Sequence, residues 1–177
     1  DRWDGLVLTA RKMGMDPGVL VEAGLLKRRD DGSPFDMFRH RLIFPIQDQI
    51  GRPVAFLNDA DAAGVAEMTL GAGRGRDGTV MVLTLGTGIG TAIFVDGRLL
   101  PNTELGHLEV RGEEAEHRAS AKVRVDRGLG WQEWADAVND VLAAYHALLW
   151  PDLFIIGGGV TENWEHFGSL LKSRAEI

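Results

Sequence analysis

Three short stretches carry side chains whose types and spacing could do chemistry on a hydroxyl group. Asn58-Asp59 lies where an apolar, strand-like run (53–57) gives way to an Ala-rich, helix-like run (58–70). A carboxylate at such a junction can accept the proton of an attacking hydroxyl, and the neighbouring carboxamide can hydrogen-bond another. Both residues are also favoured helix N-caps, so position alone leaves the two readings open. Glu104-Leu-Gly-His107 sets a carboxylate and an imidazole three residues apart, and Glu116 adds a further carboxyl group. A metal held by His107 with Glu104 and Glu109 can be imagined. With no cysteine to complete a zinc tetrad, no metal ligand is assigned.

Two glycine-rich junctions follow strand-like runs. Gly86-Thr-Gly-Ile-Gly90 lies between 80–85 and 91–95, and Gly157-Gly-Gly159 follows Phe154-Ile-Ile156. Glycines let a backbone approach an anion closely and aim its N–H groups at it. The first junction lacks the lysine of a Walker loop and no helix follows it, so neither a P-loop nor a dinucleotide fingerprint is supported. Ordinary strand turns would look the same. In α/β folds, though, ligands bind at such strand ends.

The elements that must position these groups follow from periodicity. Helices are expected over 3–13, from Asp16-Pro17 to about Ala23 with Gly24 as the stop, and over 58–70. Residues 27–34 read as a loop, and 41–46 with 53–57 as a hairpin turning at Gly51. A basic glycine-rich loop (71–78) precedes the buried-type strand 80–85; Asp96-Gly97 then joins 91–95 to 98–100 as a hairpin. A helix over 131–149 would place Trp131, Trp134, Val138, Val141, Leu142, Tyr145 and Leu148 on one face, ending at Pro151. Strand 152–156 and a last helix over about 162–173 complete an α/β pattern.

The 177 residues are 45% hydrophobic and 25% charged, an ordinary globular mix. No apolar run approaches the ~20 residues that span a bilayer. The chain begins at Asp1 rather than Met, which suggests a fragment, and the absence of cysteine fits a reducing cytoplasm. Charge is uneven: residues 1–56 carry nine Lys/Arg against eight Asp/Glu, and residues 57–177 ten against eighteen. Such asymmetry suggests two segments of different origin, and the acidic second one argues against nucleic-acid binding there.

Four motifs in order make residues 57–177 resemble the repressor, open-reading-frame and kinase (ROK) family, and within it the polyphosphate glucokinases. They are Leu57-Asn-Asp-Ala-Asp-Ala-Ala-Gly64, Leu83-Thr-Leu-Gly-Thr-Gly-Ile-Gly90, Asn102-Thr-Glu-Leu-Gly-His-Leu-Glu109 and Asp152-Leu-Phe-Ile-Ile-Gly-Gly-Gly-Val160. The resemblance implies a partial actin-like, ribonuclease H-like α/β fold and phosphoryl transfer from polyphosphate or ATP, with Mg²⁺, to the 6-hydroxyl of glucose. It implies that Asp59 is the catalytic base and that Asn58, Glu104, His107 and Glu116 hold the sugar. Gly86, Thr87, Gly88 and Gly90, with Gly157, Gly158 and Gly159, would face the phosphoryl donor. Many relatives carry a Cys-rich zinc motif before the last Glu, whereas this chain has Arg111-Gly-Glu-Glu-Ala115 there, so zinc is not expected. A cytoplasmic enzyme without membrane or nucleic-acid partners is expected, with a homodimer left open. Candidates for a basic polyphosphate track are Arg74, Arg76, Lys122 and Arg124.

Residues 1–56 resemble something else. Arg39-His-Arg-Leu-Ile-Phe-Pro-Ile46 and Gly51-Arg-Pro-Val-Ala-Phe56, with Glu22-Ala-Gly-Leu-Leu26 upstream, are similar to a segment of bacterial DNA primase. That segment lies between the primase's zinc domain and its catalytic fold; the zinc ligands and acidic catalytic motifs are not here, so primase activity is not expected. The join is expected near Phe56–Leu57. ROK kinases close two domains around sugar and donor, and no Asp-x-Gly-Gly-Thr phosphate turn precedes residue 57, so weak or no turnover is expected of this chain alone. The competing readings are a nucleic-acid-binding primase fragment using Arg39, Arg41 and Lys27-Arg28-Arg29, and a sugar-binding remnant without catalysis.

Overall fold

The computed structural model describes residues 5–22, 25–36, 44–47 and 53–177, which fall into two compact units, Asp1–Asn58 and Asp59–Ile177. The expectations that rest on Gly24, Arg39, Arg41 and Gly51 lie outside the described residues.

In the first unit, helices α1 (Gly5–Lys12) and α2 (Pro17–Glu22) pack Val7, Ala10 and Leu20 around Leu26. Asp16 Oδ1 accepts from the Gly18 N–H at 2.9 Å, so the Asp-Pro pair opens α2 as its sequence demands. The segment read as a loop is instead a short hairpin. Strand β1 (Leu26–Arg28) pairs antiparallel with β2 (Pro34–Asp36), and Asp31 accepts from the Ser33 N–H at the turn. Buried Asp36 at the end of β2 accepts from the N–H groups of Leu6 at 2.7 Å and Val7 at 3.0 Å. A side chain 30 residues away thereby serves as the N-terminal cap of α1. Strands β3 (Phe44–Gln47) and β4 (Pro53–Leu57) form the second hairpin, with a register shift at Ile46/Gln47.

The second unit is built on a four-stranded sheet in the order β10-β5-β6-β7. Helix α3 (Asp59–Leu70) precedes β5 (Thr79–Leu85), β6 (Ile89–Val95) and β7 (Arg98–Leu100), which form an antiparallel meander. The two residues between β6 and β7, Asp96 at φ 49° and Gly97 at φ 75°, both have the left-handed backbone that a two-residue hairpin turn requires. A 3-10 turn (Leu105–His107), the short hairpin β8 (Glu109–Val110) and β9 (Glu113–Glu114), and helices α4 (Ala115–Ala119) and α5 (Ala121–Asp126) lead into α6 (Trp131–Leu149). Strand β10 (Leu153–Gly157) then runs parallel to β5, and α7 (Trp164–Phe167) follows.

Strand β5 is apolar from Val80 to Leu83 and at Leu85 because both its faces are covered. Met81, Leu83 and Leu85 meet Trp134, Val138, Leu142 and Tyr145 of α6 in one cluster. Val80 and Val82 join Ala92 and Phe94 against Val65 and Met68 of α3 in the other. Each fully buried side chain of this size contributes roughly 1.5–3 kcal/mol by leaving water. Trp134 also donates its indole N–H to the carbonyls of Ala119 and Ser120 at 3.0 and 3.1 Å, fixing α4 to α6.

Three expectations change. Strand β6 starts at Ile89, because Gly90 already pairs with Thr84, so the turn is only Gly86–Gly88. Leu148 is exposed, and its neighbour Leu149 packs against the core in the last turn of α6 instead. The helix expected over 162–173 breaks into a 3-10 turn, one turn of α7 and a second 3-10 turn. Beyond Leu171 the chain is extended, and Glu176 exchanges backbone hydrogen bonds with Asp152 and Phe154 beside β10. Among the described residues no helix is long and apolar enough to cross a membrane.

Candidate functional site

Asp59 is the first residue of α3, exposed, with Oδ1 accepting from the Ala60 N–H at 3.1 Å. This contact is with the next residue, whereas a helix-capping side chain accepts from an N–H two or three residues on. Asn58 before it is buried. The first turn of α3 lies hard against the start of β6: a Cβ on Gly90 would fall 2.9 Å from the Ala60 Cβ and 2.4 Å from Thr84 Oγ1. Gly90 is thus a packing glycine of the strand, not a member of the turn.

The segment that carries Glu104 and His107 is fastened on three sides. Buried Asp61, two residues after Asp59, accepts from the Asn102 N–H at 2.9 Å, and Asn102 has a left-handed backbone at φ 60°. Thr103 donates its hydroxyl to the Thr91 carbonyl at 2.8 Å. Tyr145 of α6 donates to the Leu105 carbonyl at 2.7 Å. Gly106 is required by crowding, because a Cβ there would lie 2.4 Å from the Ile89 carbonyl oxygen.

Around this turn, acidic groups converge on one imidazole. His107 Nδ1 is 3.1 Å from Glu114 Oε2 and 3.6 Å from Glu116 Oε1. The hydrogen bond to Glu114 raises the His107 pKa; partial burial opposes that, and the charges of Glu116, Glu114 and Glu104 add to it. Glu116 also reaches under the Gly86–Gly88 turn, where a Cβ on Gly88 would fall 2.5 Å from its Oε2. The ligand atoms of His107, Glu114 and Glu116 all lie within 4.8 Å of one another, close enough to share a cation as well as a proton. No metal-binding role was assigned to these residues from the sequence.

The two glycine junctions meet at one end of the sheet. Gly157 pairs with Thr84 across the parallel β10–β5 ladder, and Gly158, at φ 94°, packs against Leu85, where a Cβ would be 2.5 Å from its carbonyl oxygen. Residues 86–88 and 157–159 are therefore neighbours at the carboxyl ends of parallel strands, where ligands bind in such folds. The Gly86 N–H bonds the Gly88 carbonyl at 3.0 Å, closing the turn on itself. Of the four candidates for a basic track, three are engaged elsewhere. Arg76 pairs with Glu176, Lys122 with Asp126, and the Arg124 guanidinium stacks 3.8 Å from the Trp131 ring centroid.

Asp61, Glu114 and Tyr145 were not singled out by sequence reasoning. Asp61 had a signal, a second carboxylate two residues after Asp59, one not needed for a cap. Glu114 and Tyr145 had none, because their roles depend on contacts across 7 and 40 residues.

The chain matches two family models: residues 1–59 match the DNA primase catalytic core, N-terminal domain, and residues 39–122 match the ROK family. The polyphosphate glucokinase of Mycobacterium tuberculosis is 48% identical over 127 residues, which are 72% of this chain and 48% of that protein. The chain thus spans about half the length of the curated relatives it matches. The DNA primase of Deinococcus radiodurans is 47% identical over 57 residues, 32% of this chain and 10% of that protein. Among solved structures, the inorganic polyphosphate/ATP-glucomannokinase of Arthrobacter sp. strain KM superimposes with a TM-score of 0.68 at 48% identity, over 72% of this chain and 51% of that one. The two family matches overlap over 39–59. Residues 39–122 thus match the ROK family and residues 1–59 the DNA primase N-terminal type, and the α/β fold of the second unit is the actin-like, ribonuclease H-like one of the solved ROK sugar kinases.

Proposed function

We propose that the second unit is the sugar-binding and catalytic half of a glucokinase, which transfers a phosphoryl group from polyphosphate or ATP to the 6-hydroxyl of glucose. In this reading Asp59 takes the proton as the sugar oxygen attacks phosphorus. One P–O bond forms, the bond to the leaving phosphate breaks, and the proton ends on the Asp59 carboxylate. Asn58, Glu104, His107 and Glu116 hold the other hydroxyls. The Thr87 and Gly88 amides, with 157–159, face the donor; Gly86 shapes that turn, and Gly90 lets the first turn of α3 pack against β6.

The observation that most supports this reading is the 3.6 Å approach of His107 to Glu116 beneath the Gly86–Gly88 turn. It joins a hydroxyl-binding cluster to a glycine turn with amides for phosphate. The relatives named glucokinase and glucomannokinase carry the same chemistry in their names. Because the cluster is acidic, a bare polyanion would be repelled, so the donor enters as its Mg²⁺ complex, the ion bound by phosphate oxygens. A cytoplasmic setting fits the cysteine-free chain.

The test is paired. Calorimetry should show glucose binding to the chain, and a glucose 6-phosphate assay with polyphosphate or ATP and Mg²⁺ should show any turnover. Asp59→Ala should abolish turnover and leave binding nearly intact. Turnover unchanged by that substitution removes Asp59 from its role, and no glucose binding at millimolar concentrations removes the sugar reading.

A further inference from the structure

We propose that Glu114 is the positioning residue of the sugar site: it accepts the Nδ1–H of His107, fixes the tautomer and ring orientation, and leaves Nε2 to meet a sugar hydroxyl. The inference rests on the glucokinase reading for its ligand and on its own geometry for the rest.

Glu114 ends β9 and Glu116 lies in the first turn of α4, and both carboxylates approach the same ring nitrogen, Nδ1. Of the two, Glu114 is within hydrogen-bonding distance of Nδ1, at 3.1 Å, while Glu116 is 3.6 Å away. An ionised carboxylate can only accept, so Nδ1 must carry the proton in this contact. In a neutral imidazole Nε2 is then the acceptor nitrogen, and in the protonated ring it becomes a second donor. Either way Nε2 is the atom offered to a ligand. Without Glu114 the neutral ring is free to take the other tautomer, or to rotate toward Glu116.

The groups facing His107 are Glu104 on the residue before its own turn, Glu114 on β9, and Glu116 on α4. His117 of α4 approaches the same carboxylates, at 3.8 Å from Glu114 and 3.9 Å from Glu116. Strand β6, against which the turn packs, brings no charged side chain. Glu114 therefore lies between two imidazoles, and its substitution also releases His117. Nε2 of His107 is the position to read because His117 has its own signals.

Two variants separate the hydrogen bond from the charge. Glu114→Gln keeps an acceptor oxygen without the charge, and Glu114→Ala removes both. Nitrogen-15 NMR of the imidazoles in the intact 177-residue chain should show His107 as the Nδ1–H tautomer above its pKa in the wild type and in Glu114→Gln, and a tautomer mixture in Glu114→Ala. Glucose binding should weaken about ten-fold in Glu114→Ala, as expected for one charge-assisted hydrogen bond, and by much less in Glu114→Gln. An Nε2–H tautomer in the wild type overturns the proposal, as does unchanged glucose affinity in Glu114→Ala. A His107 signal that moves on adding EDTA shows a cation among the three side chains and overturns it too. If no form binds glucose, the glucokinase reading fails, while the tautomer measurement still decides whether Glu114 holds the ring.

Discussion

The hydroxyl of Tyr145, buried in the C-terminal part of α6, donates to the carbonyl of Leu105 at 2.7 Å, tying this 19-residue helix to the turn that carries Glu104 and His107. Burial and the nearby Glu116 carboxylate raise the pKa of this phenol, so it remains a donor throughout the ordinary pH range. Tyr145→Phe keeps the ring and leaves the Leu105 carbonyl with the Leu108 N–H as its donor. The expected cost is about 0.5–1.5 kcal/mol of unfolding free energy, that of one hydrogen bond. Glucose affinity should fall several-fold as the turn loosens, while Asp59 is untouched. Chemical denaturation and calorimetry on the same variant check both parts.

Asp61 supplies the second fastening. It is buried, and the Asn102 N–H it accepts belongs to a residue with φ 60°. Asp61→Ala should destabilise by about 1.5–3 kcal/mol, the range for a hydrogen bond to a charged group. Asn102→Gly removes the left-handed penalty at that turn but adds unfolded-chain entropy, so its effect should stay within about 1 kcal/mol. A Tm loss for Asn102→Gly as large as that for Asp61→Ala would mean that the Asn102 side chain, not its backbone, holds the segment.

Two glycines of the site should answer alanine differently. At Gly106 the new Cβ would meet the Ile89 carbonyl, a fixed backbone atom in β6. At Gly88 it would meet Glu116 Oε2, the end of a side chain that can swing away. Gly106→Ala should therefore lower Tm strongly. Gly88→Ala should leave Tm within a few degrees but drive Glu116 away from His107 and weaken glucose binding. Thermal melts beside binding isotherms separate the two outcomes.

Much of the second unit could be read from the chain because its signals are local. The continuous apolar run of β5, the Asp96-Gly97 turn and the three-and-four spacing of α6 each determine an element without help from elsewhere. Asp59, Glu104 and His107 were named from motifs and Glu116 from the family resemblance, and the structure brings His107 within 3.6 Å of Glu116. What escaped depends on distant partners. The hairpin of β1 and β2 looked like a polar loop because Lys27 and Arg28 are exposed on a strand with only Leu26 buried. The last helix had the right periodicity but fails where Glu176 takes up pairing beside β10, and where Gly168 lies against the Trp164 ring. Glu114 was visible only as one of several acidic residues, since nothing in its spacing marks an imidazole seven residues upstream.

The raised pKa of His107 gives stability a pH dependence whose sign can be worked out. Its ordinary value is 6.5, and the bond to Glu114 raises it in the folded chain. Folding therefore favours the protonated ring. That stabilisation is fully present below about pH 6.5 and fades as pH rises through the folded-state value. The side chain is 58% exposed, so solvent screening keeps the effect small. In a comparison of the wild type with His107→Gln, the difference in Tm should be larger at pH 6 than at pH 9. Both titrate the remaining groups alike, so the difference isolates this one. A Tm gap that widens with rising pH instead would mean that His107 is held as the neutral ring, and that Glu114 does not stabilise its charge.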